Sequence, residues 1–172
     1  MVPEPVAITA YYRDDLEHVF ELAVLPERPR LYALALTITR DPAEAEDTVQ
    51  ETMLSAWRSW ASLRDPDHPG PWLTRICVNH CLRRRRRLAR WLRSDELREV
   101  AVAMPIQFEG QLLDFDRAFA RLTARQRAVF ALHVQHGYTV DECARLIGCR
   151  AGTARSHLGR AVAALRKEMS NA

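Results

Sequence analysis

The sequence lacks long apolar runs, strand-like alternation and the motifs of common enzyme sites. No apolar stretch approaches the roughly 18 residues that a membrane helix needs, and residues 1–10 show no basic flank before an apolar core. Glycine is scarce, with 6 residues in 172, and no glycine-rich phosphate loop, zinc-ligand spacing or nucleophile motif is present. We therefore expect a cytoplasmic protein without catalytic residues, metal, cofactor or small-molecule substrate.

Cysteine is present but follows no redox or zinc pattern. The four cysteines form two loose pairs, Cys77 with Cys81 and Cys143 with Cys149, and no CxxC motif occurs. Cys77 and Cys81 have the spacing that shares a helix face, with His80 beside them. Buried free thiols that pack as small hydrophobic residues are the commoner use of such cysteines. Metal binding or redox sensing stays open as the alternative.

Positive charge is concentrated in one segment. The whole chain has a net charge of only +3, yet seven arginines and no acid lie between Arg83 and Arg93. A solvated helix face usually mixes charges of both signs, and this segment does not. The concentration therefore indicates a polyanionic partner, for which nucleic acid is the expected candidate.

Apolar residues recur at helical spacing through most of the chain, which predicts an all-α protein. The period is lost after Ser94 in a segment that contains Pro105 and Gly110, as expected for a linker. We predict two small helical domains, residues 1–93 and 112–172, joined by a linker at residues 94–111.

The first domain has a marked helix start at Asp41, where an N-cap acid precedes Pro42 and Glu44. The helix should run to about Trp60. Its predicted buried stripe consists of apolar residues at helical spacing, namely Val49, Met53, Trp57 and Trp60. Acids crowd its first turns: Asp41, Glu44, Glu46, Asp47 and Glu51. They stabilise the helix dipole, but their number exceeds what capping needs, so a basic protein partner is also predicted.

Residues 62–71 contain three prolines and a glycine, so this segment must be a loop. Pro71 then opens a helix that places Trp72, Leu73 and Ile76 inward and runs directly into the arginine segment. One helix would therefore carry both core contacts and the basic surface.

The second domain has the pattern of a helix-turn-helix. Thr139 and Glu142 form a capping-box signature, Gly148 stops the short helix, and a second amphipathic helix follows from about Gly152. The N-terminal part of such a second helix enters the major groove. The resulting candidates for DNA contact are Arg150, Thr153, Arg155 and Ser156. The alternative is a helical hairpin used only for packing or dimerisation.

The order of these motifs resembles the extracytoplasmic-function (ECF) sigma factors, the smallest members of the bacterial sigma-70 family. Residues 41–57, DPAEAEDTVQETMLSAW, are similar to the family's region 2.2, and residues 72–79, WLTRICVN, to its regions 2.3 and 2.4. Residues 122–127, LTARQR, and residues 148–156 and 158–161 are similar to region 4.

The resemblance implies a function and assigns roles to residues. It implies an RNA polymerase sigma factor that directs core polymerase to specific promoters and helps open the strands. Core polymerase would be bound by Asp47, Gln50 and Glu51. The −10 element would be contacted by Arg64, Arg75, Asn79, Arg83, Arg84 and Arg87. The −35 element would be contacted by Arg150, Thr153, Arg155, Ser156, His157 and Arg160. The implied partners are core RNA polymerase, promoter DNA and an anti-sigma factor.

Three other classes of protein remain as alternatives. One is a metal-dependent helical enzyme, which would contain stoichiometric zinc or iron. A stand-alone helix-turn-helix regulator would bind duplex DNA by itself, usually as a dimer on a palindrome. A helical interaction protein without a DNA role would leave the arginine segment without a partner and would show no steep salt dependence.

Overall fold

A computed structural model of the chain describes residues 16–91 and 111–169. All regular elements within these ranges are helical, as the sequence predicts. They are α1 (residues 16–24), α2 (Arg28–Thr39), α3 (Pro42–Ser59), α4 (Gly70–Trp91), α5 (Gln111–Ala120), α6 (Ala124–Phe130), α7 (Val140–Ile147) and α8 (Ala151–Met169). Short 3-10 turns occupy Leu25–Glu27 and Trp60–Ser62, and a π-helical turn, Ala131–Gln135, extends α6. Nearly all of the predicted linker lies outside the described residues.

The helix starts predicted at Asp41 and Thr139, and a further one at Thr123, are formed by side-chain hydrogen bonds. The Asp41 carboxylate accepts the backbone N–H of Glu44 at 2.9 Å. Thr123 and Thr139 each close a reciprocal capping box with the residue three positions later. These side chains satisfy N–H groups that have no partner within the helix, so they fix where α3, α6 and α7 begin.

Replacing Thr139 with alanine is expected to lower the free energy of unfolding by about 1 kcal/mol, because the N-terminal amides of α7 lose their cap. Thr153→Ala is the matched control, since Thr153 is an exposed residue inside α8, where alanine is the better helix former. Urea denaturation followed by circular dichroism measures both. An equal loss of stability in the two variants would contradict the capping role of Thr139.

The first domain packs α2, α3 and α4 around a core that contains Leu31, Leu34, Val49 and Leu73, all without solvent exposure. The predicted stripe of α3 is correct at Val49 and Trp60 and wrong at Trp57, which is 37% exposed. Its indole instead packs edge-on against Phe20 of α1, with ring centroids 5.1 Å apart.

Threonines explain why the buried face of α3 is rotated from the predicted one. Thr48 and Thr52 are fully buried, together with Ala45, Val49 and Ala56. The Thr52 hydroxyl donates to the carbonyl oxygen of Thr48 at 2.7 Å. Because this bond lies within the helix, the hydroxyl is buried without losing a partner. A pattern that counts only apolar residues misses such positions.

The second domain packs α6, α7 and α8 on one another, and α5 covers α8. A small separate cluster joins α5 to α8 through Phe119, Leu122, Ala161 and Leu165. Helices α6 and α7 also contact α4 of the first domain, so the packing of the second domain continues across the domain boundary.

Within the described residues, no helix has both the length and the apolar character required to cross a bilayer.

Candidate nucleic-acid interface

Helices α7 and α8 form the predicted helix-turn-helix. The turn depends on Gly148, whose backbone is left-handed with φ 67°. Beyond it, the Cys149 N–H donates to the Ala144 carbonyl at 2.9 Å. Ala144 of α7 and Ala154 of α8 are both buried, and their small side chains allow the two helices to approach closely. The inner face of α8 is therefore held against α7, and its opposite face is free to contact a ligand.

The residues predicted to contact the −35 element lie on that outer face. Exposed side chains are found at Arg150, Thr153, Arg155, Ser156 and Arg160. Helical spacing places Thr153, Ser156 and Arg160 on one stripe and Arg155 on the other flank of the exposed face. A helix in the major groove can direct its two flanks towards opposite strands. The set therefore fits a groove-reading helix.

His157 differs from the other predicted −35 residues because it is half-buried. Burial, with further contributions from Arg125 and Arg160, lowers the pKa of the His157 imidazole. The ring is therefore neutral at neutral pH and offers hydrogen bonds rather than a positive charge.

The predicted −10 residues begin in the loop before α4 and continue along that helix. Arg64 is exposed in the loop, and Arg75, Asn79 and Arg83 follow one another at four-residue spacing on α4. Arg75 and Arg83 are exposed and Asn79 is half-buried, so the three form one accessible stripe. Arg87 continues this spacing, but its side chain lies outside the described residues.

Arg84 lies on another stripe of α4, which faces the acidic helix α3. Its guanidinium is 2.8 Å from the Asp47 carboxylate and 3.6 Å from that of Glu51. His80, one turn earlier, places Nδ1 3.1 Å from Glu51. Asp47 and Glu51, which are predicted to bind polymerase, therefore meet Arg84, which is predicted to bind DNA, at the seam between α3 and α4. The third predicted polymerase contact, Gln50, is exposed. Exposed ion pairs contribute only about 0–1 kcal/mol, so a partner can replace them.

At the same seam, Ser55, His80 and Glu51 form a chain of polar contacts. The Ser55 hydroxyl oxygen is 3.0 Å from Nε2 of His80, whose Nδ1 faces Glu51. Acyl transfer would also need backbone amides that are free to stabilise an oxyanion. Ser55 lies inside α3, where the ladder of helix hydrogen bonds uses those amides. The arrangement therefore links α3 to α4 through two polar contacts.

The cysteines are free thiols, and three of the four are buried. The Cys77 thiol donates to the carbonyl oxygen of Leu31 at 3.7 Å. A hydrogen bond with Cys77 and burial both raise the pKa of Cys81, and burial raises the pKa of Cys143 to about 11. The Cys81 and Cys143 thiols are therefore protonated at neutral pH and behave as small apolar residues. The same hydrogen bond with Cys81 lowers the pKa of Cys77. In the part of the chain that the structure describes, no cluster of three or more His, Cys, Asp or Glu side chains is arranged to hold a metal ion.

Arg127, Arg40 and Asp116 form contacts between the two domains that the sequence did not indicate. Arg127 of α6 is only 5% exposed, and its Nε donates to the Ile38 carbonyl at the end of α2 at 2.8 Å. Arg40 forms a bidentate pair with Asp116 of α5, with both N–O distances 2.9 Å. The only signal available for Arg127 was an arginine at a buried position of an apolar helix.

The fold and these surfaces define a two-domain helical DNA-binding protein with an acidic face on α3. Comparison with known proteins gives the family. The model of Sigma-70 region 2 matches residues 24–91, and that of Sigma-70, region 4 matches residues 112–165. The chain belongs to the ECF sigma factors of the sigma-70 family, which confirms the resemblance read from the sequence.

Individual relatives agree with this assignment. The ECF RNA polymerase sigma factor SigM of Mycobacterium tuberculosis is 33% identical over 145 residues, which cover 79% of this chain and 69% of SigM. SigL of the same species is 34% identical over 143 residues, covering 79% of this chain and 80% of SigL.

Solved structures share the arrangement of helices. The sigma factor RpoE of Bartonella quintana, solved in complex with the anti-sigma factor NepR, is 28% identical with a TM-score of 0.67, covering 88% of this chain and 96% of RpoE. CnrH, solved with the cytosolic domain of CnrY, is 24% identical with a TM-score of 0.60 over 88% of each chain, and shows likeness of fold alone.

Proposed function

We propose that this sigma factor directs core RNA polymerase to promoters by contacting the −35 element with α8 and the −10 element with α4. The observation that carries the proposal is the exposed polar face of α8, held outward by the packing of Ala144 against the second helix of the helix-turn-helix. The protein itself would catalyse no reaction, because its surfaces offer recognition rather than a reacting group. It would act in the cytoplasm, where the polymerase is found.

The polymerase contact is assigned to α3. Asp47, Gln50 and Glu51 are exposed on consecutive turns of this helix, and two of them are acids that suit a basic protein surface. Following the family, that surface would be the clamp helices of the polymerase's largest subunit.

The −10 contact is assigned to α4 and the loop before it. Arg75 and Asn79 would lie near the bases of the opened strand, and Arg83 would contact backbone phosphates upstream. Opening the duplex and extruding a base costs a few kcal/mol, which stacking and pocket contacts in the first domain would offset.

The −35 contact is assigned to α8 on duplex DNA. Arg155 and Arg160 carry the charge for phosphates or guanine edges, and Thr153 and Ser156 supply hydroxyls for hydrogen bonds. A stand-alone regulator would use the same helix, but it would have no use for the acidic face of α3.

An anti-sigma factor is proposed as a further partner. RpoE, which resembles this chain over most of its length, was solved with the anti-sigma factor NepR. A partner of this kind would hold the present chain away from core polymerase until it is released.

The separation of roles can be tested with Asp47→Ala and Arg155→Ala. Asp47→Ala should weaken binding to core polymerase by about 1–2 kcal/mol, since an anchoring charge is lost from the interface. Arg155→Ala should leave that binding unchanged and weaken recognition of the −35 element by about 1–3 kcal/mol. Binding assays with core polymerase and with promoter duplex measure the two effects.

Arg121→Ala is the matched control for charge. Arg121 is an exposed arginine of the second domain, and its partner, Glu168, lies at the far end of α8 from the predicted DNA-contact residues. It should reduce −35 binding less than Arg155→Ala does. Equal losses of both activities in the Asp47 and Arg155 variants would contradict the separate roles of α3 and α8.

A further inference from the structure

The start of α4 lies between the loop residue and the helix residues that are proposed to contact the −10 element. Arg64 precedes it, and Arg75 and Asn79 follow it. Helix α4 begins directly after Pro69, whose side chain has no hydrogen-bond acceptor. The side-chain cap that Asp41 gives to α3 is therefore not available from the residue before α4.

Arg30 of α2 binds the first turn of α4. Its Nη2 donates to the carbonyl oxygen of Gly70 at 3.1 Å and to the hydroxyl oxygen of Thr74 at 3.0 Å. The Thr74 hydroxyl itself donates to the Gly70 carbonyl at 2.8 Å. One guanidinium therefore holds two points of the same turn, although these lie 40 and 44 positions further along the chain.

Glu27 holds the Arg30 side chain in this position. Its carboxylate accepts from Nε of Arg30 at 2.6 Å, and the two side chains are 28% and 30% exposed. Both carboxylate oxygens would lie 3.6 Å from a Cβ placed on Gly70. Negative charge is favourable near a helix N-terminus, so Glu27 offsets the positive charge that Arg30 brings there.

The Thr74 hydroxyl depends on Arg30 because Thr74 has no solvent exposure. A hydroxyl group can donate one hydrogen bond and accept two. That of Thr74 donates to Gly70 and accepts from Arg30, with the Tyr138 hydroxyl 3.4 Å away. Loss of Arg30 would remove a charged donor from two acceptors at once, one of them buried, which weakens the attachment of this turn.

The orientation of the first turn determines where the proposed DNA-contacting stripe of α4 points. Arg75 directly follows Thr74 and projects roughly 100° around the helix from it, and Asn79 lies one turn further along the same stripe. On the other side of the turn, Trp72 packs against Trp60, with ring centroids 6.1 Å apart. A polar contact and an aromatic contact therefore hold the turn from two sides.

We propose that Arg30 is a positioning residue for −10 recognition, because it fixes the first turn of α4 so that Arg75 and Asn79 face the opened strand. Arg30 acts through Gly70 and Thr74 and does not itself contact DNA. This inference rests on the proposed sigma function. It adds a residue of α2 that lies outside the surfaces assigned to DNA and to polymerase.

The test replaces Arg30 and measures how well the holoenzyme distinguishes one DNA strand from another. Arg30→Met removes the charge and the hydrogen bonds but keeps an apolar stem, and Arg30→Lys keeps the charge. Arg28→Met is the matched control, because Arg28 also lies on α2 but pairs with Glu46 of α3. Holoenzyme assembled with purified core polymerase is titrated with single-stranded oligonucleotides. One carries the −10 element of a promoter found by run-off transcription, and the other carries the same bases scrambled.

Arg30→Met should lower the ratio of the two affinities by roughly tenfold, the factor that corresponds to a lost hydrogen bond of a charged group. Its affinity for core polymerase should not change, whereas a general loss of folding would lower that affinity too. Arg30→Lys should recover part of the ratio, and Arg28→Met should retain all of it.

Thr74→Val tests the other end of the contact by removing the hydroxyl. It should also lower the ratio, and Thr74→Ser, which keeps the hydroxyl, should not. The double variant of Arg30→Met with Thr74→Val should lose no more than the larger single loss, since both changes break the same contact. If Arg30→Met fails to fold, the comparison of valine with serine at position 74 decides.

An unchanged ratio in folded Arg30→Met would overturn the proposal, as would additive losses in the double variant. A wild-type chain that binds no core polymerase and yields no transcripts contradicts the proposed sigma function instead. Amide hydrogen exchange of residues 70–78 in the free chain still decides in that case whether Arg30 holds the start of α4. Exchange there should be faster in Arg30→Met than in Arg28→Met, and equal rates would count against the contact.

Discussion

Leu132→Ala is expected to lower the free energy of unfolding by about 2–5 kcal/mol, the largest effect of any single change considered for this protein. Leu132 has no solvent exposure and belongs to the cluster that both domains share. Truncation would remove apolar contacts and leave a cavity at the boundary between the sigma regions. Urea denaturation followed by circular dichroism and by tryptophan fluorescence measures the loss.

Val134→Ala is the matched control for Leu132→Ala. Val134 lies two residues further along the same π-helical turn but is 56% exposed, so its truncation should change stability by less than about 0.5 kcal/mol. Because all four tryptophans lie in the first domain, their fluorescence reports on that domain alone. Leu132→Ala should lower the urea midpoint measured by circular dichroism and by tryptophan fluorescence. A lower midpoint by circular dichroism alone would contradict a core shared by the two domains.

Gly148→Ala should cost about 1–2 kcal/mol of stability and weaken −35 binding as well. The cost arises from the backbone, because φ is +67° and a side chain in this region is strained. Apart from the adjacent residues of the chain, no atom lies within 4 Å of the position that a new Cβ would occupy, so a clash with the packed surroundings is not the cause. Relaxing the strain would tilt α8 relative to α7, and the reading face would move with it.

Two further variants separate backbone strain from the loss of a glycine. Gly148→Asn should be milder than Gly148→Ala, since asparagine tolerates the left-handed region. Gly159→Ala, inside α8 and also without a neighbour within 4 Å, should raise stability by about 0.5–1 kcal/mol. Thermal unfolding and promoter-duplex binding measure all three. Equal effects of alanine at positions 148 and 159 would contradict the role of the turn.

The local features of the fold were predictable because each depends on a few neighbouring residues. Asp41, Thr123 and Thr139 cap helices through bonds that span only three positions, and Gly148 ends α7 through its own backbone. The helix-turn-helix follows from these signals in order. The candidate DNA-contact face of α8 follows in turn, since the buried positions of an amphipathic helix determine which residues face outward.

The contacts that determine how the domains meet were not predictable in the same way. Arg127 reaches Ile38 across 89 positions of sequence, and Arg40 reaches Asp116 across 76. Nothing in the helical period distinguishes Arg40 and Asp116 from solvent-facing residues, and the only signal for Arg127 was its position on an apolar helix. The exposure of Trp57 was missed for a related reason, because two buried threonines, Thr48 and Thr52, rotate the inner face of α3.

The seam between α3 and α4 was also hidden in the sequence, although its spacing was visible. Asp47 and Glu51 are four residues apart, as are His80 and Arg84. Only the packing of the two helices shows that these pairs face each other. The acids proposed to bind polymerase are therefore partly neutralised in the free chain, and Arg84 is shared between the acidic helix and the DNA-contacting helix.

Run-off transcription with purified core polymerase on a pool of genomic fragments, with and without this protein, is the most direct measurement of its function. We expect discrete new transcripts that appear only when the protein is present, with common −35 and −10 elements upstream of their start sites. The contradicting result is the absence of new transcripts together with no complex between folded protein and core polymerase on a sizing column.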